Sequence, residues 1–353
     1  MKAAVRAWAE LLRVSALFTV PGDALAGAAA IGRRPGRGTA LAVGASLCLY
    51  EAGMALNDWA DRDEDAIDRP HRPIPSGRIA PGAALAAAGA LTVTGLTLAA
   101  RAGRPALTVA TGLAATVWAY DLHLKHTKAG PAAMAGARAL DLLLGATATA
   151  GAGAGAGAGY GGVNLPTDAT GTSRAGRTVG PGRMTHPIVR TAVPAAALLG
   201  AHTYAVTAVS RHEAQGGSTA APLGALAAMV ALAAAAMRER RESGGPPPMP
   251  GRGGPGDNHG PGDHHRPRPG ALAPRLLLTA LTAAYLRTAA KPLLHATLNP
   301  SAPLTQRAVG SGIRAMIPLQ AVLAARAGAV GTGLAVMGLV PLARTLARKV
   351  SLT

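Results

Sequence analysis

Long apolar intervals, separated by short charged segments, dominate the chain. A helix that crosses the hydrocarbon core of a bilayer needs about 20 mainly apolar residues, and several intervals reach that length. The pattern predicts an all-α, polytopic integral membrane protein with about nine transmembrane helices. We place the spans near residues 10–31, 39–56, 80–100, 105–120, 131–153, 189–209, 219–237, 271–289 and 307–345. The last interval is long enough for two passes or for one long broken helix.

Composition and charge agree with a membrane protein. Apolar residues make up 49% of the chain and charged residues 15%, whereas roughly 25% of the residues of soluble globular proteins are charged. A net charge of +18 would suggest nucleic acid as the partner of a soluble protein. Here the arginines lie between apolar spans, so we expect anionic membrane lipids as partners and no nucleic acid. The single cysteine, Cys48, excludes a disulfide framework.

The whole chain, residues 1–353, is predicted to form a single membrane domain with two low-complexity segments. These segments, at about 151–188 and 238–270, are rich in glycine, and the second is also rich in proline. Such a composition cannot bury a hydrophobic core. Both segments are therefore predicted to be disordered loops.

Four loops with charged residues are predicted to share one side of the membrane. If the N-terminus is cytoplasmic, the loops at 57–79, 121–130, 210–218 and 288–306 all face the cytoplasm. Arginine and lysine in three of them fit the basic character of cytoplasmic loops. We therefore expect a protein of the cell membrane whose charged loops lie on the cytoplasmic side.

The first of these loops gathers an unusual amount of opposed charge. On a helix that continues from the second span, Asp58, Asp61, Asp65 and Asp68 would lie along one stripe. Like charges at this spacing repel each other, so the row requires a counter-charge, either arginine or a divalent cation such as Mg²⁺. A solvated linker with local ion pairs is the simpler alternative. The prolines and glycine that follow favour a defined exit path from the helix.

A family resemblance is carried by this loop. The residues from Asn57 to Asp65, NDWADRDED, fit the NDxxDxxxD signature of the UbiA superfamily of membrane prenyltransferases. The RPHRPIPSGRI segment is similar to the sequence that follows this motif in the family, and the EboC-like branch is the closest match. The resemblance implies a UbiA-type bundle of nine helices around a central cavity. It also implies Mg²⁺ as cofactor, a polyprenyl diphosphate donor and a lipophilic acceptor.

The resemblance also implies a set of site residues. The implied catalytic carboxylates and metal ligands are Asp58, Asp61 and Asp65, with Glu213 as a further metal ligand. The implied diphosphate-binding residues are Asn57, Arg69, Arg72, Tyr120, Lys125 and Arg211. Divalent cations and basic side chains would neutralise the leaving diphosphate while positive charge develops on the allylic carbon.

The third loop departs from the family pattern. UbiA proteins typically carry a second Asp-rich motif between spans six and seven. The corresponding segment here, YAVTAVSRHEAQGGS, contains no aspartate, and Glu213 is its only carboxylate. A second metal site is therefore in question.

Two functions follow as hypotheses. The first is Mg²⁺-dependent transfer of an isoprenyl group from a polyprenyl diphosphate to an aromatic or other lipophilic acceptor. The alternative is a non-catalytic or weakly catalytic EboC-like protein for membrane handling or export of a secondary metabolite. The complete first motif favours the enzyme, and the incomplete third loop favours the alternative.

Ionisable residues within the predicted spans leave further alternatives open. Arg138 and Asp141 stand three residues apart in an apolar helix, either as a structural ion pair or as a substrate contact. Arg314 either approaches the cavity or extends to the membrane surface.

Overall fold

The fold is known from a computed structural model that describes residues 2–156, 185–238 and 272–341. Most of the two predicted low-complexity loops lies outside these ranges. At the edges that the structure does describe, the predicted loops include residues that are helical. Residues 151–156 continue a helix, and residues 185–188 begin the next one.

The described residues form α-helices and no strands, as the sequence predicts. A 3-10 helix, Val14–Thr19, and a π-helical turn, Tyr120–Leu124, interrupt the α-helical series. The α-helices are α1 Lys2–Leu11, α2 Pro21–Ala30, α3 Arg37–Ala60, α4 Arg62–Asp68, α5 Pro81–Ala102, α6 Arg104–Ala119, α7 Gly130–Ala156, α8 Thr185–Ser210, α9 Ala220–Met237, α10 Leu272–Leu298, α11 Ala302–Arg326 and α12 Val330–Met337.

Each predicted span coincides with one or more of these helices. Five of them, α3, α5, α8, α9 and α11, are long and apolar enough to cross a membrane among the residues described. The first predicted span is broken into α1, the 3-10 helix and α2. The last predicted span is divided by a turn at Gly328, whose φ is 83°. The number of nine transmembrane helices stays a prediction.

Helix α2 lies inside the bundle, where it packs against α3, α7, α8, α11 and α12. Its contact with α7 is made by backbone. A Cβ atom on Gly145 would lie 2.4 Å from the Cα of Ala24, and one on Gly27 would lie 2.2 Å from the carbonyl oxygen of Leu142. Small residues allow membrane helices to approach this closely and to gain van der Waals contact. The glycines therefore bring α2 and α7 together without intervening side chains.

A buried polar network joins four of the helices. Arg138 of α7 forms an ion pair with Asp23 of α2, at 3.0 Å between NH1 and Oδ2. The Nε2 of Gln320, on α11, donates to Oδ1 of Asp23 at 2.6 Å, and Ser46 of α3 donates to Asp141 of α7. Arg138 is thus engaged in a structural ion pair with a helix that sequence spacing did not suggest.

Arg314 lies apart from this network. It is exposed on α11, whereas Gln320 on the same helix is fully buried. The exposure favours the interpretation in which Arg314 extends to the membrane surface.

Candidate functional site

The charged loops meet at one end of the bundle. Lys125 of the second loop pairs with Asp61 of the first. Arg211 of the third loop donates to the carbonyl oxygen of Thr127 at 2.6 Å. The Gly217 N–H donates to the carbonyl oxygen of Pro300 at 2.6 Å, which joins the third loop to the fourth. The prediction that these loops share one side is consistent with this arrangement, and the cytoplasmic orientation stays a prediction.

The fourth loop is shorter than predicted. Instead of a connection over 288–306, α10 continues to Leu298 and α11 begins at Ala302. Apolar residues of α10 near its end, such as Leu293, are buried against neighbouring helices. The charged residues that suggested a loop therefore lie on helix surfaces.

The Asp-rich segment is not one continuous helix, which corrects the prediction of a single carboxylate stripe. Helix α3 ends at Ala60, and Asp61 has a φ of −90° and a ψ of 4°, outside helical values. Helix α4 then begins at Arg62. The break separates Asp58 at the end of α3 from Asp65 and Asp68 on α4. Asp58 and Asp65 are buried, whereas Asp68 is exposed.

Basic side chains supply the counter-charge for the two buried carboxylates. Oδ1 of Asp58 lies 3.1 Å from NH2 of Arg13 and 3.4 Å from NH1 of Arg72. NH1 of Arg72 also lies 2.6 Å from Oδ2 of Asp65, and Arg69 approaches the other oxygen of Asp65 at 3.6 Å. Arg69 and Arg72, predicted to bind diphosphate, are thus brought to the Asp-rich segment. Arg72 forms a bridge between two of its acids.

The second loop begins with the π-helical turn, which places Asp121 and Lys125 against the first loop. The Lys125 N–H donates to the Tyr120 carbonyl at 2.9 Å. The Nδ2 of Asn57 donates to Oδ1 of Asp121 at 3.4 Å. Burial raises the pKa of Asp121 to about 7, and the nearby Lys125 charge opposes this rise. Burial also raises the pKa of Tyr120, and the carboxylates of Asp121 and Asp61 act in the same direction.

The third loop contributes one basic and one acidic side chain near the site. Arg211 is exposed, and its guanidinium contacts the backbone of the second loop. Burial raises the pKa of Glu213, and the positive charge of Arg69 opposes this rise. Glu213 is therefore within electrostatic range of Arg69 of the first loop.

Potential metal ligands converge around Asp61. In the described ranges, one oxygen each from Asp61 and Glu64 and a ring nitrogen of His126 all lie within 4.8 Å of one another. Mg²⁺ is commonly held by one or two carboxylates together with water and phosphate oxygens, so the two carboxylates fit this ion. Of the predicted metal ligands, the structure brings only Asp61 into this group. Asp58, Asp65 and Glu213 are not part of it.

Three residues that meet here, Arg13, Glu64 and His126, were not predicted from the sequence. Glu64 and His126 lie in the charged loops but were not assigned to the site. Arg13 lies in a different part of the sequence, eight residues before α2 begins at Pro21. Arg13 lies 45 positions from its partner Asp58. The sequence shows Arg13 as a basic residue at the edge of the first apolar interval. This position alone does not indicate which carboxylate it contacts.

Comparisons with known proteins agree with this fold. A model of the UbiA prenyltransferase family matches residues 15–246. Digeranylgeranylglyceryl phosphate synthase from Methanopyrus kandleri is 34% identical over 128 residues, which cover 35% of this chain and 45% of the relative. The chain thus matches less than half of that relative's length.

Solved structures share the architecture at low sequence identity. A structure of digeranylgeranylglyceryl phosphate synthase has a TM-score of 0.54 and 16% identity, covering 94% of this chain and all of its own. A UbiA homologue from Archaeoglobus fulgidus, bound to GPP and Mg²⁺, has a TM-score of 0.53 and 16% identity, covering 92% and 99%. The predicted UbiA-type bundle is confirmed, while the EboC-like branch stays a prediction. Because the family model covers more than half of its length, this integral membrane protein belongs to the UbiA prenyltransferase family.

Proposed function

We propose that the protein transfers an isoprenyl group from a prenyl diphosphate to a lipophilic acceptor, with Mg²⁺, at the end of the bundle where the charged loops meet. The observation that carries the proposal is two ion pairs at this end of the bundle, Lys125 with Asp61 and Arg72 with Asp65. These residues come from two loops, and they place carboxylates for a cation beside basic groups for a diphosphate.

The metal part of the proposal rests on oxygen donors. Asp61 and Glu64 would hold the ion, and Asp65 follows Glu64 directly on α4. When bound, Mg²⁺ supplies positive charge that stabilises the leaving diphosphate. The Archaeoglobus fulgidus homologue is bound to GPP and Mg²⁺, which supports Mg²⁺ as the ion.

The basic side chains have a separate part. Lys125 and Arg72 now pair with carboxylates, and charge-assisted hydrogen bonds of the same kind form with phosphate oxygens. We expect these two side chains to contact the diphosphate and to hold it as the C–O bond of the donor breaks. Asn57, Arg69, Tyr120 and Arg211 lie around them as further candidate contacts.

The substrate class follows from the position of the site. The loops cover one end of a bundle whose interior is lined by apolar residues of several helices. An isoprenyl chain would lie among the helices, and the acceptor would reach the site from the surrounding lipid. The relative named digeranylgeranylglyceryl phosphate synthase supports a lipid-like acceptor.

A second candidate is membrane handling or export of a metabolite without efficient transfer. The observation that favours it is the third loop, which carries Arg211 and Glu213 and no aspartate. This candidate predicts diphosphate binding without turnover.

Binding of a defined donor tests the proposal. Purified protein is titrated with radiolabelled GPP, with and without Mg²⁺, and release of diphosphate is measured with membrane extract as the source of acceptor. We expect Mg²⁺-dependent binding and release. Lys125→Gln should weaken binding about ten- to a hundredfold, since a hydrogen bond to a charged group contributes about 1.5–3 kcal/mol.

The matched control is Lys128→Gln, an exposed lysine of the same loop, which should bind GPP as the wild type does. Binding without release would favour the handling protein. GPP binding that does not depend on Mg²⁺ would contradict the proposed function. So would an Asp61→Asn variant with the same GPP affinity and diphosphate release as the wild type.

A further inference from the structure

We propose that Asp58 is a positioning residue that presents Arg13 and Arg72 to the diphosphate and is not a metal ligand. This inference rests on the proposed function. It divides the Asp-rich motif into two parts, one that orients basic side chains and one, around Asp61, that is open to a cation.

The contacts of Asp58 are the first argument. Its side chain is 6% exposed, and Oδ1 accepts hydrogen bonds from NH2 of Arg13 at 3.1 Å and from NH1 of Arg72 at 3.4 Å. A metal ion on this oxygen would lie beside two positively charged guanidinium groups, which repel it. Asp58 is therefore placed to hold cations that the protein itself supplies.

The backbone at Arg13 is the second and independent argument. Arg13 has a φ of 47° and a ψ of 46°, and among the residues described it is the one non-glycine residue with positive φ. This left-handed conformation costs on the order of 1 kcal/mol for a residue with a side chain. Such strain persists where the surrounding structure imposes it, often at functional sites. Here the strained turn between α1 and the 3-10 helix directs the arginine to Asp58.

The two arginines keep unused donors. The side chain of Arg13 is 39% exposed and that of Arg72 is 20% exposed, although each contacts a buried carboxylate. A guanidinium has five N–H donors, so each can hold a phosphate oxygen and its carboxylate together. The buried acid thus fixes the two arginines, and their exposed N–H groups are available to bind an anion.

The backbone around Arg72 is fixed as well. Its carbonyl oxygen accepts from Oγ of Ser76 at 2.6 Å, and its N–H donates to the Arg69 carbonyl at 3.0 Å. Oδ2 of Asp65 also accepts a hydrogen bond from NH1 of Arg72, at 2.6 Å. Arg72 is thus held by its backbone and by two acids, which leaves little freedom for its guanidinium.

Asp61 differs from Asp58 in each of these respects. Its side chain is 20% exposed, its partner is the single amine of Lys125, and the potential ligands Glu64 and His126 lie beside it. The amine is carried on a flexible chain and can move to a phosphate oxygen. Asp61 is therefore the carboxylate of the motif that is available to a cation.

Separate measurement of metal and diphosphate tests the inference. Mn²⁺ is counted by electron paramagnetic resonance at saturating inorganic diphosphate, and diphosphate affinity is measured by calorimetry. We expect Asp58→Asn and Asp58→Leu to keep the wild-type Mn²⁺ stoichiometry. Diphosphate affinity should fall about tenfold in Asp58→Leu and less in Asp58→Asn, because the amide oxygen still accepts hydrogen bonds. Asp61→Asn should lose Mn²⁺.

A double-mutant cycle separates positioning from general damage to the fold. Asp58→Leu and Arg13→Gln should each weaken diphosphate binding, and the combined variant should lose little more than either alone. Asp61→Asn and Arg13→Gln should act additively, because they remove different parts of the site. Arg13→Gln changes a partly exposed side chain and should fold. Its diphosphate affinity therefore tests the inference even if Asp58→Leu does not fold.

Two results would overturn the inference while the wild type binds both ligands. One is loss of Mn²⁺ in Asp58→Asn to the extent seen in Asp61→Asn. The other is diphosphate affinity in Arg13→Gln that equals that of the wild type. A wild-type protein that binds neither ligand would instead remove the proposed function, and this inference with it.

Discussion

Asp121 is a carboxyl group buried beside the charged loops, 4% exposed and next to Lys125. Burial raises its pKa from an ordinary value of 3.8 to about 7. A folded state that binds a proton more tightly than the unfolded state is stabilised at low pH, and this stabilisation is lost as the pH rises through the folded pKa. The contribution of Asp121 is therefore present below about pH 4 and lost as the pH passes 7.

A pH prediction follows for Asp121→Asn, which keeps the shape of the side chain without its charge. Without Mg²⁺ or diphosphate, the wild type should lose thermal stability relative to this variant between about pH 4 and about pH 7. The measurement is the melting temperature of both proteins across that range. Asp63→Asn, a change at an exposed carboxylate of α4, should leave the pH dependence unaltered. Parallel curves for wild type and Asp121→Asn would show that Asp121 does not titrate there.

At the scale of residues, local sequence identified part of the site. The Asp-rich motif, Arg69, Arg72 and Lys125 were predicted, and the structure brings them together. Arg13 and His126 were missed because their contacts depend on how distant helices pack. The division between buried Asp58 and accessible Asp61 was also missed, since it follows from a helix break that hydrophobic periodicity does not encode.

The contact between α2 and α7 is made at the scale of elements by glycine. A Cβ atom on Gly145 would meet the Ala24 backbone at 2.4 Å, whereas one on Gly136 of the same helix would meet nothing within 4 Å. Backbone cannot move aside as a flexible side chain can. The two glycines of α7 therefore offer a matched pair for substitution.

Gly145→Ala should reduce the free energy of unfolding by about 1–3 kcal/mol, the usual cost of overpacking. Gly136→Ala should be neutral or stabilising, since alanine favours a helix over glycine by about 1 kcal/mol. Both are measured by denaturant titration in detergent. Equal stability of the two variants would show that α2 and α7 can separate without cost.

Helix limits were harder to predict than helix existence. The tract from 151 was predicted to be a loop because its glycine-rich composition cannot bury a hydrophobic core, yet α7 continues to Ala156. The structure supplies a reason at Gly151, where a Cβ atom would lie 2.6 Å from the carbonyl oxygen of Ala102. Glycine at this position allows α7 to pack closely against the end of α5. This packing offsets the low intrinsic helix propensity of glycine.

The polar network around Asp23 acts at the scale of the whole molecule, because it joins α2, α3, α7 and α11. Along α3, Ser46 lies about 18 Å before Asp58, at 1.5 Å for each residue. The network is therefore well below the charged loops, among apolar helices. Removal of one partner from a buried ion pair leaves the other charge uncompensated.

Arg138→Met should cost about 3–5 kcal/mol of unfolding free energy, and the double variant Asp23→Leu/Arg138→Met should recover much of the loss. Arg314→Met, a change at an exposed arginine of α11, should alter stability by less than about 0.5 kcal/mol. Unfolding in denaturant measures all three. A double variant less stable than Arg138→Met would show that the network stabilises the bundle beyond its ion pair.

For the molecule as a whole, hydropathy and one motif were sufficient to predict an all-α membrane bundle of UbiA type. The length of the apolar intervals indicates helices that lie in lipid, and the Asp-rich motif indicates the family. The order in which helices contact one another was not accessible in this way. An Ala-rich helix carries few side chains that distinguish one neighbour from another.

The glycine contact between α2 and α7 has a consequence for the membrane itself. Where Gly27 and Gly145 press backbone against backbone, the seam between these helices has no room for a file of water molecules. Water and hydrated ions therefore have no path between α2 and α7 at this level of the bundle. Any traffic of a metabolite along this seam would require α2 to part from α7.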